Sequence, residues 1–145
     1  MNKPLFNRRA KFNYTVEESY SAGIMLTGNE VKSIRDGKLN FNDSYCLIIN
    51  GELWVRGLYI SENKFGQQQD PTRDRKLLLK KREINKIEII LSEKGFSSFP
   101  IKVFFNDYNI VKMDIGVGKG KKEYDKRETI KKRDSERSIR NLVTT

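Results

Sequence analysis

The chain has 145 residues, 37% hydrophobic and 33% charged, with a net charge of +10. That length suits one domain with a real core, and the charge sets up a field that attracts polyanions: RNA, DNA or an anionic membrane surface. A single cysteine, Cys46, excludes an internal disulfide, and the lack of histidine excludes a Ser-His or Cys-His nucleophile and the usual zinc sites.

The first dozen residues, with Lys3, Arg8, Arg9 and Lys11 among Phe6 and Phe12, read as an exposed basic arm. A strand-like run follows from Tyr14 to Leu26, where Gly23 is expected to mark a bulge. In "TGNEVKSIRDG", Thr27 and Glu30 have the spacing of a capping box, and Gly37 can close the turn in the left-handed conformation. A short helix over 28–36 is predicted, with Val31 and Ile34 on one face. "SYCLIINGELWVRGLYI" reads as a hairpin about Asn50-Gly51, with strands over 45–49 and 53–60. Residues 61–75 form a polar loop. Leu77-Leu78-Leu79 fits either a strand or a first helical turn. Ile84, Ile87 and Leu91 then predict a helix over 81–93, capped by Gly95. Ile101, Val103 and Phe105 alternate with Lys102 and Phe104. Beyond an Asn106-Asp107 turn, Val111, Met113, Ile115 and Val117 alternate with Lys112 and Asp114, giving a second, half-buried hairpin.

The expected fold is mainly β with short helices: a small closed barrel of the oligonucleotide-binding type plus a basic C-terminal tail. The domain limits are an arm over 1–12, a barrel over 13–120 and a tail over 121–145. Residues 119–145 hold ten Lys/Arg and five Asp/Glu, with few apolar side chains. The tail is expected to be disordered alone and helical on a polyanion.

"GVGKGKK" has the wrong spacing for a P-loop and no Ser/Thr after its lysines. As a basic run, the tail also matches a nuclear targeting signal or a solvated, salt-bridged helix. It lacks the continuous apolar face of a membrane-surface helix. Basic residues cluster in the arm, at Arg73 to Arg82 and in the tail, with aromatics interleaved. Lysines and arginines neutralise phosphates, and rings stack on unpaired bases. Tyr14, which alternates with Val16, reads as core, and Phe12 is the better stacking candidate. Glu17, Glu18 and Asp107 form no converging carboxylate cluster, and Cys46 reads as an inert core thiol. Nothing marks an enzyme, a cofactor site or a metal site. One cysteine, no apolar run near the roughly 20 residues that span a bilayer, and no apolar leader point to the cytoplasm.

"NRRAKFNY", "AGIMLTGNEVKSIRDGK", "DSY", "DPTRDRKLLLKKREI" and "GVGKGKKEYDKR" occur in one order along the chain. Together they resemble the SsrA-binding protein family, also called small protein B, from Asn7 to about Arg137. The resemblance implies a bacterial, cytoplasmic, non-enzymatic protein with an oligonucleotide-binding-type barrel. Such a protein binds the tRNA-like domain of transfer-messenger RNA and delivers that RNA to ribosomes stalled on broken messages. The barrel stands where a tRNA anticodon arm would be, and the tail occupies the empty mRNA channel. Alanyl-tRNA synthetase and elongation factor Tu act on the same complex.

By resemblance, the RNA-binding face comprises Leu78, Lys80 and Lys112. Gly120-Lys121-Lys122 and Asp125-Lys126-Arg127 join barrel to tail. Lys131, Lys132 and Arg133 contact ribosomal RNA, and Phe12 stacks in the decoding centre. Val31 and Ile34 look structural, and Glu30 is explained equally by capping and by RNA contact. Two positions depart from the pattern. Many members have His at Phe12, and Phe keeps the stacking face but lacks the ring nitrogens. Many have an acid at Ser21. A general single-stranded nucleic-acid-binding module is the alternative; it would prefer unstructured strands to a folded tRNA-like domain.

Overall fold

The computed structural model describes residues 3–61, 70–121 and 127. Strand β1 (Leu5–Phe6) is followed by helix α1 (Arg8–Asn13), strand β2 (Tyr14–Ile24) and helix α2 (Gly28–Arg35). Then come strands β3 (Leu39–Asn40), β4 (Tyr45–Ile49), β5 (Glu52–Arg56), β6 (Tyr59–Ile60) and β7 (Arg75–Leu78). Helix α3 (Lys81–Leu91) and strands β8 (Phe96–Phe105) and β9 (Val111–Gly120) complete the order. The chain is therefore mainly β with a few short helices.

The pairings run in a ring. β8 pairs with β4, then β5, β7, β2 and β9 follow in turn, and β9 pairs again with β8. All are antiparallel, and β1 adds to β8 beside the ring. β4 meets β8 through a single register pair, Cys46 with Ser98. β3 and β6 pair separately as a two-stranded sheet. Alternate residues of the ring point inward: Ala22, Leu53, Val55, Leu77, Val103, Met113, Ile115 and Val117 are all buried. α3 adds Ile84 and Ile87, and α2 adds Ile34. Each fully buried aliphatic side chain contributes about 1.5–3 kcal/mol.

Local chemistry explains several elements. The Thr27 hydroxyl accepts from the Glu30 amide at 3.3 Å, and the Glu30 carboxylate accepts from the Thr27 amide at 2.9 Å. This is the predicted capping box, and Gly37 follows the helix with a φ of 74°. Asn50 and Gly51 both have positive φ, 52° and 76°, as a two-residue I′ turn requires.

Other elements depart from expectation. The basic N-terminal segment keeps Lys3, Arg8, Arg9 and Lys11 exposed but is tied to β8 rather than a free arm. Leu5 and Phe6 pair with Val103 and Lys102. The Asn7 amide donates to the Ile101 carbonyl and its side chain to that of Pro100, both at 2.8 Å, and Ala10 is buried. The bulge in β2 lies between Val16 and Glu18, not at Gly23. The second strand of the first hairpin breaks at Gly57, where φ is 84°, so that its end pairs with β3 instead. Leu77 and Leu78 are strand. α3 ends at Leu91 with Ser92 as its C-cap, whereas Gly95, at φ 88°, turns the chain into β8. The 61–75 loop gives way to β7 at Arg75, and its residues 62–69 lie outside those described. The tail beyond Lys121 does too, apart from Arg127. No helix among the described residues is long and apolar enough to cross a membrane.

Candidate nucleic-acid interface

Strand register brings distant residues into rows. Gly23 of β2 pairs with Leu78 of β7 on one side and Lys112 of β9 on the other. Lys112 pairs in turn with Phe104 of β8. Register partners share a face of a sheet. Their neighbours Ala22, Ile24, Leu77, Met113 and Val103 are buried, so this row points outward. Leu78 is 50% exposed and Lys112 half-buried. Gly23 leaves room for Leu78: a Cβ there would lie 3.2 Å from the Leu78 Cβ. Lys80 follows β7 and is exposed, with its backbone amide donating to the Glu83 carboxylate at 3.2 Å. Lys81, Arg82 and Lys86 are exposed on α3. Leu78 and Lys112 thus share one outward face, and the exposed Lys80 lies two residues beyond Leu78 at the start of α3.

One row along lie Ser21, Asp114, Lys102 and Phe6, again as successive register partners. The Lys102 ammonium sits 3.6 Å from the Asp114 carboxylate, 5.1 Å from the Phe104 ring centre and 5.9 Å from that of Phe6. An acid therefore stands directly across from the neutral Ser21.

The other predicted residues gather elsewhere. Gly120 pairs with Tyr14; its amide donates to the Gly95 carbonyl at 3.3 Å, and the Lys121 amide donates to that of Asn13 at 2.8 Å. This junction adjoins α1, which carries Phe12, half-buried. Gly120 is eight residues from Lys112 along β9, so the two groups stand about 26 Å apart. Arg127 is exposed. Lys122, Asp125, Lys126, Lys131, Lys132 and Arg133 lie outside the described residues.

The glycines before the junction are spaced for packing. The Tyr14 and Phe99 rings stack at 4.1 Å, and a Cβ on Gly116 would come within 2.7 Å of the Phe99 ring. A Cβ on Gly118 would meet the Thr15 carbonyl oxygen at 1.9 Å, where β2 bulges against β9.

Two basic residues of the Arg73–Arg82 cluster are tied to Glu30, one of them inside the core. Arg75 is fully buried. Its Nε donates to Glu30 at 2.6 Å, and its other nitrogens donate to the carbonyls of Leu58, Arg73 and Pro71 at 2.8–3.1 Å. Arg73 also binds the Glu30 carboxylate, through Nε at 3.2 Å and through Nη2. Glu30, 6% exposed, is a structural anchor as well as a cap. Burial alone would raise its pKa; Arg73, the Thr27 amide and Arg75 outweigh that and hold it below the ordinary value. Burial pushes the Cys46 thiol up to about 12, in keeping with an inert core side chain.

Two grooves among the described residues are not lined by the Leu78–Lys112 row, though Phe6 borders the first. One, of about 480 Å³, separates Leu5 and Arg8 from Leu39 and Asn42; another, of about 590 Å³, lies between Tyr45, Leu47, Leu91 and Phe96. The Leu78–Lys112 row is an outward strand face rather than the lining of either groove. Among the described residues no group of three or more acidic or cysteine side chains could hold a metal.

Residues 5–145 match the family model described as SmpB protein. The chain belongs to the SmpB family. It is 44% identical over 135 residues to the SsrA-binding protein of Bacteroides thetaiotaomicron, covering 92% of this chain and 90% of that one. It is 47% identical over 137 residues to the SsrA-binding protein of Coprothermobacter proteolyticus, covering 92% and 91%. A solved structure described as "tmRNA-SmpB: a journey to the center of the bacterial ribosome" superposes with a TM-score of 0.71 at 39% identity, covering 88% of this chain and 94% of that chain. The β-rich fold of this SmpB-family chain is therefore shared with a relative whose described setting is RNA and ribosome.

Phe6, Phe104 and Lys102, which no sequence motif singles out, stand beside Lys112 and Asp114 in the structure. Lys102 and Phe104 occupy the face of β8 opposite Val103, and only the register with Lys112 assigns that face a neighbour of interest.

Proposed function

We propose that this chain binds the tRNA-like domain of transfer-messenger RNA and delivers it to stalled ribosomes for trans-translation. The observation that carries the reading is the family match over residues 5–145. The outward row with Leu78 and Lys112 supports it by offering an apolar contact and a phosphate partner on one face. The ring of strands serves as an oligonucleotide-binding-type barrel over about 13–120. Residues 121–145 act as the tail in the empty mRNA channel, with Lys131, Lys132 and Arg133 against ribosomal RNA. Gly120, Lys121, Lys122, Asp125, Lys126 and Arg127 hold the junction against RNA, and Phe12 stacks in the decoding centre. The protein acts in the bacterial cytoplasm, without catalysis of its own, on a complex also handled by elongation factor Tu and alanyl-tRNA synthetase. Whole-chain family membership favours this over a general single-strand-binding module.

Truncation after Lys122 tests the division of labour. The shortened chain is expected to bind the tRNA-like RNA nearly as well as the full chain and to fail in a reconstituted rescue assay. Normal rescue would refute the tail's role. Lys112→Glu is expected to weaken RNA binding at moderate salt, because it replaces a phosphate partner with a repelling charge. Competition by an unstructured RNA equal to that by the tRNA-like domain would instead point to the general module.

A further inference from the structure

We infer that the RNA face continues past Lys112 onto β8 and β1, as a strip in which Phe104 and Phe6 stack on unpaired nucleobases and Lys102 takes an adjacent phosphate. This rests on the RNA face proposed above.

Register carries the inference. Phe104 is the fourth member of the row that holds Leu78, Gly23 and Lys112, and Lys102 and Phe6 occupy the next row. The two rows are two residues, about 7 Å, apart along the strands. β1 is two residues long; Leu5 packs against the core, while Phe6 is 60% exposed beside Lys102. The Lys102 ammonium is steered by Asp114 and by both rings, which limits the freedom it must lose on binding a phosphate. The exposed Phe6 ring and the half-buried Phe104 ring beside a restrained lysine suit single-stranded segments of RNA, since every base has a face to stack and every nucleotide a phosphate. A membrane would require a wider apolar surface than two rings interrupted by Lys102, Asp114 and Lys112.

The test uses the full chain and the tRNA-like domain of transfer-messenger RNA, with affinity measured across a salt series. Phe104→Leu and Phe6→Leu keep an apolar side chain and remove the stacking face. Each is expected to weaken binding roughly 5- to 100-fold with the salt dependence unchanged. Phe104→Tyr restores binding. Lys102→Ala lowers the slope of log affinity against log salt by about one. Should both leucine variants bind like the wild type while Lys112→Glu loses affinity, the strip is refuted and the face stands. Should Lys112→Glu also bind normally, the face itself is wrong and the strip falls with it. If Phe104→Leu fails to fold, Phe6→Leu, on an exposed edge strand, decides alone. A lowered melting temperature with unchanged affinity would make the rings packing elements only and overturn the inference.

Discussion

Glu30 shows how far one side chain can outrun its motif. The Thr-x-x-Glu spacing reveals a cap, yet the same carboxylate neutralises Arg75, a fully buried guanidinium 45 residues further on. No local pattern announces an ion pair at that separation, and "DPTRDRK" looks like an exposed basic loop. Removing the partner leaves a buried charge uncompensated, so Glu30→Gln is expected to cost about 3–5 kcal/mol in urea unfolding. The acid sensitivity follows the same geometry. The folded pKa lies below the ordinary value of 4.5, so the folded chain binds fewer protons at Glu30 than the unfolded chain in the acid range. That part of the stability is complete above 4.5 and disappears as pH falls through the folded value. The unfolding midpoint of the wild type should therefore drop more steeply below pH 4.5 than that of Glu30→Gln. Cys46 was readable from its apolar strand alone. With its thiol pushed up to about 12, it should resist alkylation at neutral pH until the chain unfolds.

Elements with local determinants were legible: the α2 cap, the Asn-Gly hairpin, α3 by its apolar period, and β9 by strict alternation. Those created by tertiary pairing were not. β1 and α1 exist because residues 5–7 bond to residues 100–103, more than 90 positions away. The β2 bulge falls at Val16–Glu18 because β9 approaches there, which no residue near Gly23 reports. Gly118 is the other half of that bulge. Gly118→Ala must push strand backbone apart, and a loss of about 3 kcal/mol or more in thermal or urea unfolding is expected. Gly116→Ala must displace the Phe99 ring and should cost about 1–3 kcal/mol. Gly120→Ala meets nothing within 4 Å and should fold like the wild type. Equal effects at all three positions would show that the register between β2 and β9 is misassigned.

For the whole molecule, β9 spans between the two proposed RNA contacts, with Lys112 near its start and the Gly120–Lys121 junction at its end. Their separation of about 26 Å exceeds the screening length near 10 Å in 0.1 M salt. The losses of RNA affinity in Lys112→Ala and Lys121→Ala should therefore add within about 0.5 kcal/mol in the double variant. A larger coupling in filter-binding measurements would mean that both lysines hold one RNA element. The β-rich character was visible from alternation, but the short strands β1, β3 and β6 and the order in which strands adjoin were not, because pairing is a property of two segments. The pinned junction has one more consequence, in the language of tethers. The Lys121 amide is moored to Asn13, at the end of the helix carrying Phe12. Arg133 lies 12 residues beyond that mooring, and a chain of that length reaches at most about 43 Å. In the proposed role of the tail, the backbone of the Lys131–Arg133 cluster stays inside that radius, so α1 sets the origin of its reach.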